Sequence, residues 1–292
     1  MAGTSRRPAI LRVSSGRSTN TQIIRDGNLP TVTLDGVLLQ WDHQMRIAAI
    51  SDIHGNLPAL KATLDHIVRQ NVDLIVNLGD IASGSFYPSQ TVDYLSPLGF
   101  PTIKGNHERQ LLAGVVAKMG ESDAYTYRQL RKDQLEWIGS LPTSLRIAED
   151  VLLVHGTPSS DLEYFLETVT ADGCRQATQQ EVETRAGTAN GEGLILCGHT
   201  HIQRSVRLSD GRLIVNPGSV GLQAYSDVQP FPHKIETGSP HARYAVAMRS
   251  EAQWNVKFYS VEYDWASAAD VCKENGRPSW AIPVSTGLIG QR

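Results

Sequence analysis

The sequence predicts an α/β fold in which two β-sheets pack face to face and carry helices on their outer faces. Two observations support this prediction. From Met45 the apolar pattern runs strand, helix, strand, helix, strand, which is typical of parallel strands joined by right-handed crossovers. Beyond about residue 144 the pattern changes to short strands separated by turn signals, which is typical of antiparallel hairpins.

The first half of the chain supplies the parallel part of the pattern. Asn56 is the predicted N-cap of the first helix, with Pro58 in its first turn. The predicted strands are 47–50, 72–78 and 100–104. One predicted helix begins after Asn56, and three more span 89–94, 109–119 and 123–137.

The second half is predicted to be mainly antiparallel. Asp210-Gly211 between two apolar runs is a strong two-residue turn signal. Segment 228–241 is rich in Pro and Gly and indicates a long loop near the site, and the tail beyond Arg277 is expected to be peripheral. The predicted strands are 144–148, 151–154, 194–197, 202–208, 212–215, 243–249 and 254–259, and the predicted helices are 161–167, 175–185 and 264–273.

Length and composition allow one large domain or two small ones. The chain has 292 residues, of which 40% are hydrophobic, so it can bury a sizeable core. We expect residues 1–44 to be a poorly ordered N-terminal extension, because they include five arginines but no Lys or Glu, and residues 45–292 to form the folded domain. An alternative is that Met45 is the true start of the protein.

Charge and cysteine usage restrict the partners. A net charge of -3 provides no basic field for nucleic acid or anionic lipid. No apolar run approaches the roughly 20 residues of a membrane helix. Three widely separated cysteines indicate a reducing, cytoplasmic location rather than a disulfide framework. The expected partner is therefore a small molecule, and no oligomeric state is predicted.

Five predicted strands end in side chains that bind metal ions, usually beside a glycine that lets the backbone approach closely. Residues two apart on an extended chain point the same way, so Asp52 and His54 are expected to project together. Ligands of open α/β sheets bind beyond the carboxyl ends of the strands, where these side chains would meet. The set is Asp52, His54, Asp80, Asn106, His155, His199 and His201.

The donor types in this set predict a pair of metal ions. Carboxylate, amide and imidazole donors without a thiolate suit Mn, Fe, Zn or Ni, with Mn favoured. Seven ligands are too many for one tetrahedral ion, but they fit two ions about 3.5–4 Å apart that share a carboxylate. Asp80 is the predicted bridge, and His199 and His201 are expected to contact one ion each.

These motifs, in this order, resemble those of the calcineurin-like metallophosphoesterases over essentially all of residues 45–263. The later Asn216-Pro217-Gly218-Ser219 is similar to the compact bacterial and archaeal phosphodiesterase branch of that superfamily. The resemblance implies a four-layer αββα sandwich of two mixed sheets, with His107 at the position of a proton-donating histidine. It also implies that Asp52, His54, Asp80 and His201 bind one ion, and that Asp80, Asn106, His155 and His199 bind the other.

The implied activity is hydrolysis of a small phosphodiester or phosphomonoester by a metal-bridging hydroxide, with His107 protonating the leaving oxygen. A lesser role for His107 is to orient phosphate or Asn106. Two alternatives share the fold. A nuclease is disfavoured because composition gives no basic character, and an inactive metal-binding scaffold is disfavoured because the ligand set is complete.

One motif departs from the superfamily pattern. Ser83 and Gly84 stand where serine/threonine phosphatases and diadenosine tetraphosphatases of the superfamily carry an Asp and a phosphate-binding Arg. The replacement argues against both activities. It also leads us to expect that the carboxylate which would orient His107 is missing.

Overall fold

Two sheets stacked face to face form the centre of the molecule. The computed structural model describes residues 45–147, 150–251 and 253–290, together with the backbone of 21–24 and 31–34. The strands are β1 (Thr21–Ile24), β2 (Thr31–Leu34), β3 (Arg46–Ile50), β4 (Leu74–Asn77), β5 (Leu145–Ile147), β6 (Val151–Leu153), β7 (Glu167–Thr170), β8 (Gly173–Gln176), β9 (Leu194–Leu196), β10 (Gln203–Arg207), β11 (Leu213–Pro217), β12 (Ala224–Asp227), β13 (His233–Glu236), β14 (Ala242–Ser250) and β15 (Gln253–Val261).

Eight α-helices are present in this described part of the chain. They are α1 (Leu57–Ile67), α2 (Pro88–Leu95), α3 (Asn106–Leu112), α4 (Glu121–Gln129), α5 (Lys132–Ser140), α6 (Gln179–Ala186), α7 (Trp265–Glu274) and α8 (Ala281–Thr286). Among them, none is both long enough and apolar enough to cross a bilayer.

The strand order confirms the predicted fold class. The first sheet has the order β15-β14-β3-β4, and the second has the order β1-β2-β5-β6-β9-β11-β10. In the first sheet β3 and β4 are parallel while β14 is antiparallel to β3. In the second sheet β9 is parallel to both β6 and β11, while β10 is antiparallel to β11. Both sheets are therefore mixed.

Alternation of side chains along the strands divides the core into layers. Ile47 and Ala49 join the core between the two sheets, whereas Ala48 joins the core beneath the helices on the other face of β3. On the second sheet, Leu152 belongs to a third core that includes Val182 of α6. The layers are thus helices, sheet, sheet and helix, which is the four-layer αββα arrangement.

The late antiparallel pair belongs to the first sheet, although the sequence grouped it with the antiparallel second half. Ala245 of β14 pairs with Ala49 of β3. Both faces of β14 are buried, with Tyr244 in the core beneath the helices and Ala247 in the core between the sheets. A strand buried on both faces needs a hydrogen-bonded neighbour on each edge, and here β3 and β15 are those neighbours.

Two local predictions in the first half were wrong. The predicted strand at 100–104 is reduced to a single parallel bridge between Asn77 and Thr102, because Pro101 has no N–H to extend the ladder. The predicted helix at 123–137 is two helices, α4 and α5. The chain is extended at Arg131, where the side-chain oxygen of Gln134 accepts a hydrogen bond from the Arg131 N–H at 2.9 Å and caps α5.

Two short strands lie within the predicted N-terminal extension. β1 and β2 pair antiparallel, and β2 adjoins β5 through Thr31 and Arg146. The prediction of poor order covers all of residues 1–44, and the rest of this extension lies outside the described residues. The division of the chain after residue 44 therefore stays a prediction.

Asn56 caps α1, as predicted, and ties it to two other parts of the fold. Its Oδ1 accepts from the Ala59 N–H at 3.2 Å, and its Nδ2 donates to the Gly221 carbonyl at 3.0 Å and to the Tyr263 hydroxyl at 3.1 Å. Asn56→Ala leaves these buried groups without partners, so we expect the free energy of unfolding to fall by about 2–4 kcal/mol in urea denaturation. The exposed Asn255→Ala is the control, and a fall no larger than that of the control would contradict this role.

Candidate metal centre

The predicted site residues stand at the carboxyl ends of four strands and gather in one place. β3 and β4 are parallel in the first sheet, and β6 and β9 are parallel in the second, so both sheets direct these ends toward a common crevice. Asp52 and His54 follow β3, Asp80 follows β4, His155 follows β6, His199 and His201 follow β9, and Asn106 opens α3.

The structure brings six of the seven residues together in two groups. Asp52, His54 and His201 form one group, and Asp80, His155 and His199 form the other. Within each group the candidate ligand atoms all lie within 4.8 Å of one another. Asn106 adjoins the second group, because its Oδ1 is 3.0 Å from Nε2 of His155. These are the residues predicted to share each ion; that they bind metal stays a prediction.

Five of these residues adopt the left-handed backbone conformation. The φ angles are 54° at Asp52, 51° at His54, 53° at Asp80, 70° at His199 and 60° at His201. A non-glycine residue held in this region costs about 1–3 kcal/mol and persists only where the surrounding fold determines it. The extended-chain argument for Asp52 and His54 was therefore wrong in its geometry, although both side chains do reach the same group.

Three imidazole rings are oriented by backbone carbonyls. Nδ1 of His54, His155 and His201 lies 2.7 Å from the carbonyl oxygens of Ser83, Leu78 and Leu222, respectively. A ring that donates from Nδ1 presents a lone pair at Nε2 when neutral. Nε2 of His54 faces Nε2 of His201 at 3.1 Å, and Nε2 of His155 lies 3.2 Å from Asp80 Oδ2. Acceptors this close repel unless positive charge lies between them, so the donor set fits metal ions.

Two buried carboxylates, those of Asp52 and Asp80, also require positive charge nearby. Burial would raise the pKa values of Asp52 and Asp80, but His201 beside Asp52 and His155 beside Asp80 bring both below their usual range. Conversely, burial would lower the pKa of His155, but Asp80 raises it to about 10. Burial and the charge of His201 lower the pKa of His54 to about 4. Protons or cations must therefore balance these carboxylates, whose described ion pairs are with imidazoles.

His199 is held by a segment that was wrongly predicted to be a helix. Its Nε2 lies 3.1 Å from the Leu162 carbonyl oxygen, which leaves Nδ1 for a ligand. Residues 161–166 are irregular and Glu167 begins β7. The Ser160 hydroxyl accepts from the Leu162 and Glu163 N–H groups as a helix N-cap would, but the Leu162 carbonyl faces the imidazole instead of a following helical turn. Burial and His155 lower the pKa of His199 to about 4, so the ring is neutral, as a metal ligand must be.

A carboxylate from α4 orients His107. Nδ1 of His107 lies 2.7 Å from Oδ1 of Asp123, and the Ser83 hydroxyl donates to the same oxygen. The expectation that no carboxylate orients His107 was therefore wrong. Ser83 does replace the Asp of the motif, but Asp123, which is 40 residues further along the chain, supplies the missing charge.

Glu108 is a second residue whose role was not predicted from the sequence. Its buried carboxylate accepts hydrogen bonds from the N–H groups of Asp80 at 2.8 Å, Ile81 at 2.8 Å and Gly105 at 2.9 Å. It thereby fixes the loop after β4 against the start of α3, and so fixes Asp80 relative to Asn106. The approach is close, because a Cβ atom at Gly105 would lie 2.1 Å from Asp80 Oδ1.

Comparison with known proteins identifies the family. Residues 45–231 match the calcineurin-like phosphoesterase superfamily domain, which covers more than half of the chain and includes every predicted site residue. The chain is a member of this superfamily.

Individual relatives match most of the chain. An uncharacterized protein of Methanocaldococcus jannaschii is 26% identical over 263 residues, which is 80% of this chain and 94% of the relative. A metallophosphoesterase from Sphaerobacter thermophilus is 28% identical, covering 84% of this chain and 99% of its own, with a TM-score of 0.62. A hypothetical protein from Pyrococcus horikoshii, at 21% identity, shares the fold with a TM-score of 0.66, over 84% of this chain and 100% of its own. Membership supports phosphoester hydrolysis as the general activity.

The site of this calcineurin-like protein opens into a cavity of about 1120 Å³. Two segments contribute to its wall in ways that the sequence did not predict. Segment 228–241 is not a long loop, because Asp227 pairs with His233 in the β12-β13 hairpin. The tail beyond Arg277 is not peripheral, because Trp280 and α8 line the cavity. The sequence correctly placed segment 228–241 near the site but not its hairpin, and it offered no signal for the tail, which reaches the site through tertiary packing.

Proposed function

We propose that this protein is a two-metal phosphoesterase that hydrolyses a small phosphodiester. The observation that carries the proposal is the set of imidazole nitrogens aimed at other acceptors, above all Nε2 of His54 and Nε2 of His201 at 3.1 Å. Such a set is stable only around positive charge. Membership of the calcineurin-like phosphoesterase superfamily supports the same chemistry.

The donors divide between two ions. Oxygen and nitrogen donors without a thiolate favour Mn, Fe, Zn or Ni, and Mn is our choice. When bound, such a pair of ions polarises the phosphoryl oxygens and makes a water molecule acidic enough to lose its proton near neutral pH. Asp52, His54, Asp80 and His201 would hold one ion, and Asp80, Asn106, His155 and His199 would hold the other.

His107 is the proposed proton donor to the leaving group. It lines the same cavity as the candidate ligands, and the engagement of its Nδ1 by Asp123 leaves Nε2 to face a substrate. Burial would lower the pKa of His107, but the charge of Asp80 and the hydrogen bond with Asp123 raise it to about 9. General acid catalysis of this kind typically contributes about 10²–10⁴-fold.

The charges around the cavity favour a small diester over a nucleic acid strand. The two arginines in its wall have acidic neighbours, with Arg185 3.7 Å from Glu163 and Arg277 3.3 Å from Glu121. The described lining therefore presents no row of unengaged cations to a sugar–phosphate backbone. A cavity of about 1120 Å³ leaves room for ester groups on both sides of a phosphorus atom.

The test combines metal content with turnover. Protein purified without chelator is expected to carry close to two divalent ions per chain. With added Mn it is expected to hydrolyse bis(p-nitrophenyl) phosphate faster than p-nitrophenyl phosphate. Asp80→Asn removes a charge that both ions need, so it is expected to lose both metal and turnover.

Asp65→Asn changes an exposed carboxylate on α1 and is the matched control, expected to retain metal and activity. Equal background release from the wild type and Asp80→Asn would reject the phosphoesterase. If the wild type showed neither stoichiometric metal nor turnover, an inactive scaffold with the same fold would be favoured.

A further inference from the structure

Exposed apolar side chains are concentrated around the mouth of the cavity. Eight large hydrophobic residues are exposed in the described part of the chain; two of them line the cavity and three more adjoin lining residues in the sequence. Leu162 and Ile282 line the cavity directly, whereas the other three are sequence neighbours of lining residues. We call these five the apolar rim: Leu162, Val228, Phe231, Ile282 and Leu288, which are 44–67% exposed. Exposed apolar clusters of this kind mark binding sites more often than isolated surface residues do.

The segments that carry the rim are joined by hydrogen bonds. The hydroxyl of Tyr164, two residues after Leu162, lies 2.7 Å from the Tyr225 hydroxyl and 2.9 Å from His233 Nε2 in the β12-β13 hairpin. The same hairpin reaches the C-terminal tail, because Glu236 accepts from the Ile289 N–H at 2.6 Å. The rim therefore belongs to one connected wall rather than to independent loops.

This wall begins beside the candidate metal ligands. The Leu162 carbonyl contacts Nε2 of His199 at 3.1 Å, so the residue that carries the exposed Leu162 side chain directly contacts a candidate ligand of the second group. At the first group, the Trp280 ring centroid is 6.2 Å from that of His54. A phosphate held by both groups would thus have an apolar surface next to its substituents.

We propose that the apolar rim binds an aliphatic ester group, so that the substrate is an amphiphilic phosphodiester with one alkyl chain. This inference rests on the proposed function and specifies its substrate class. The two arginines of the wall have acidic neighbours, so a second anionic group is not what the wall recognises. Aliphatic side chains outnumber aromatic ones in the rim, which favours an alkyl chain over a stacked base.

The experiment uses a series of p-nitrophenyl alkyl phosphates with methyl, butyl and octyl groups, each below its aggregation limit and with added Mn. In every case water attacks phosphorus, the bond to the nitrophenyl oxygen breaks, and nitrophenolate leaves while the alkyl phosphate is released. Because the scissile group is constant, differences report binding of the alkyl chain. We expect kcat/KM to rise roughly 10–50-fold from methyl to octyl, an average of about 1.4–1.7-fold per methylene, because an exposed rim buries only part of each methylene.

The double variant Leu162→Ser, Ile282→Ser changes the two exposed side chains of the rim that line the cavity. It is expected to reduce the octyl-to-methyl ratio of kcat/KM to less than about fivefold. Val68→Ser replaces an exposed apolar residue that does not line the cavity and is the matched control, expected to keep the full ratio. Hydrolysis of all three esters with equal kcat/KM would overturn the inference while leaving the phosphoesterase intact.

A binding measurement separates failure of the inference from failure of the proposed function. If no ester were hydrolysed, the proposed function would be rejected, and calorimetric binding of octyl phosphate and methyl phosphate would then test the rim. At least about tenfold tighter binding of octyl phosphate, lost in the double variant, supports the rim. Equal dissociation constants would overturn it.

Discussion

His201→Gln is expected to lower the metal content from two divalent ions per chain to one and to reduce kcat for bis(p-nitrophenyl) phosphate at least about 10³-fold. His201 is grouped with Asp52 and His54, and its Nδ1 is fixed on the Leu222 carbonyl at 2.7 Å. Gln fills similar space but cannot place a nitrogen lone pair where Nε2 stands. Loss of one ion removes several kcal/mol of charge stabilisation in the transition state, which corresponds to the stated loss in rate.

Metal content measured by elemental analysis and kcat measured at saturating Mn check this prediction together. His66→Gln is the matched control, because His66 is a partly buried imidazole that bonds the Tyr244 hydroxyl at 2.6 Å and belongs to neither group. It should retain both ions and full turnover. Two bound ions and wild-type kcat in His201→Gln would show that the first group is not a metal site.

The positions of the candidate ligands could be predicted because each is fixed by local sequence. Asp52 and His155, for example, come within two residues of the last residue of a buried strand, and parallel strands of one sheet deliver such residues to the same edge. The backbone conformation of these residues could not be predicted. The left-handed conformation at Asp80 and His199 has no sequence signal, because the surrounding fold imposes it.

Residues that complete the site reach it only through tertiary packing. Asp123 lies on α4, and its position in the sequence does not indicate that it contacts His107. Trp280 lies in a tail that resembled a peripheral terminus. The neighbour of β14 was missed for the same reason, since an apolar strand pattern reports burial but not which strand lies alongside. The sequence thus predicts the layers and the candidate ligand set better than the walls of the cavity.

Asp123→Asn is expected to separate substrates by their leaving groups. Asp123 accepts from Nδ1 of His107 at 2.7 Å. In the variant, loss of the Asp123 charge lowers the pKa of the His107 imidazole, and only a neutral amide remains to orient the ring. An alkoxide leaving group needs the proton that His107 donates, whereas p-nitrophenolate leaves without one. We expect kcat to fall about 10²–10⁴-fold for a dialkyl phosphate and less than about tenfold for bis(p-nitrophenyl) phosphate.

The leaving-group split distinguishes a positioning role for Asp123 from a purely structural one. If Asp123 acts through His107, His107→Gln should show the same split, and the double variant should be no slower than His107→Gln alone. Metal content should remain at the wild-type value in all three proteins, since Asp123 belongs to neither group of candidate ligands. Asp133→Asn changes an exposed carboxylate on α5 and should leave both rates unchanged. An equal fall for both substrates, or loss of metal, would instead mean that Asp123 only holds α4 against the loop at Ser83, because a defect in folding or metal binding slows every substrate alike.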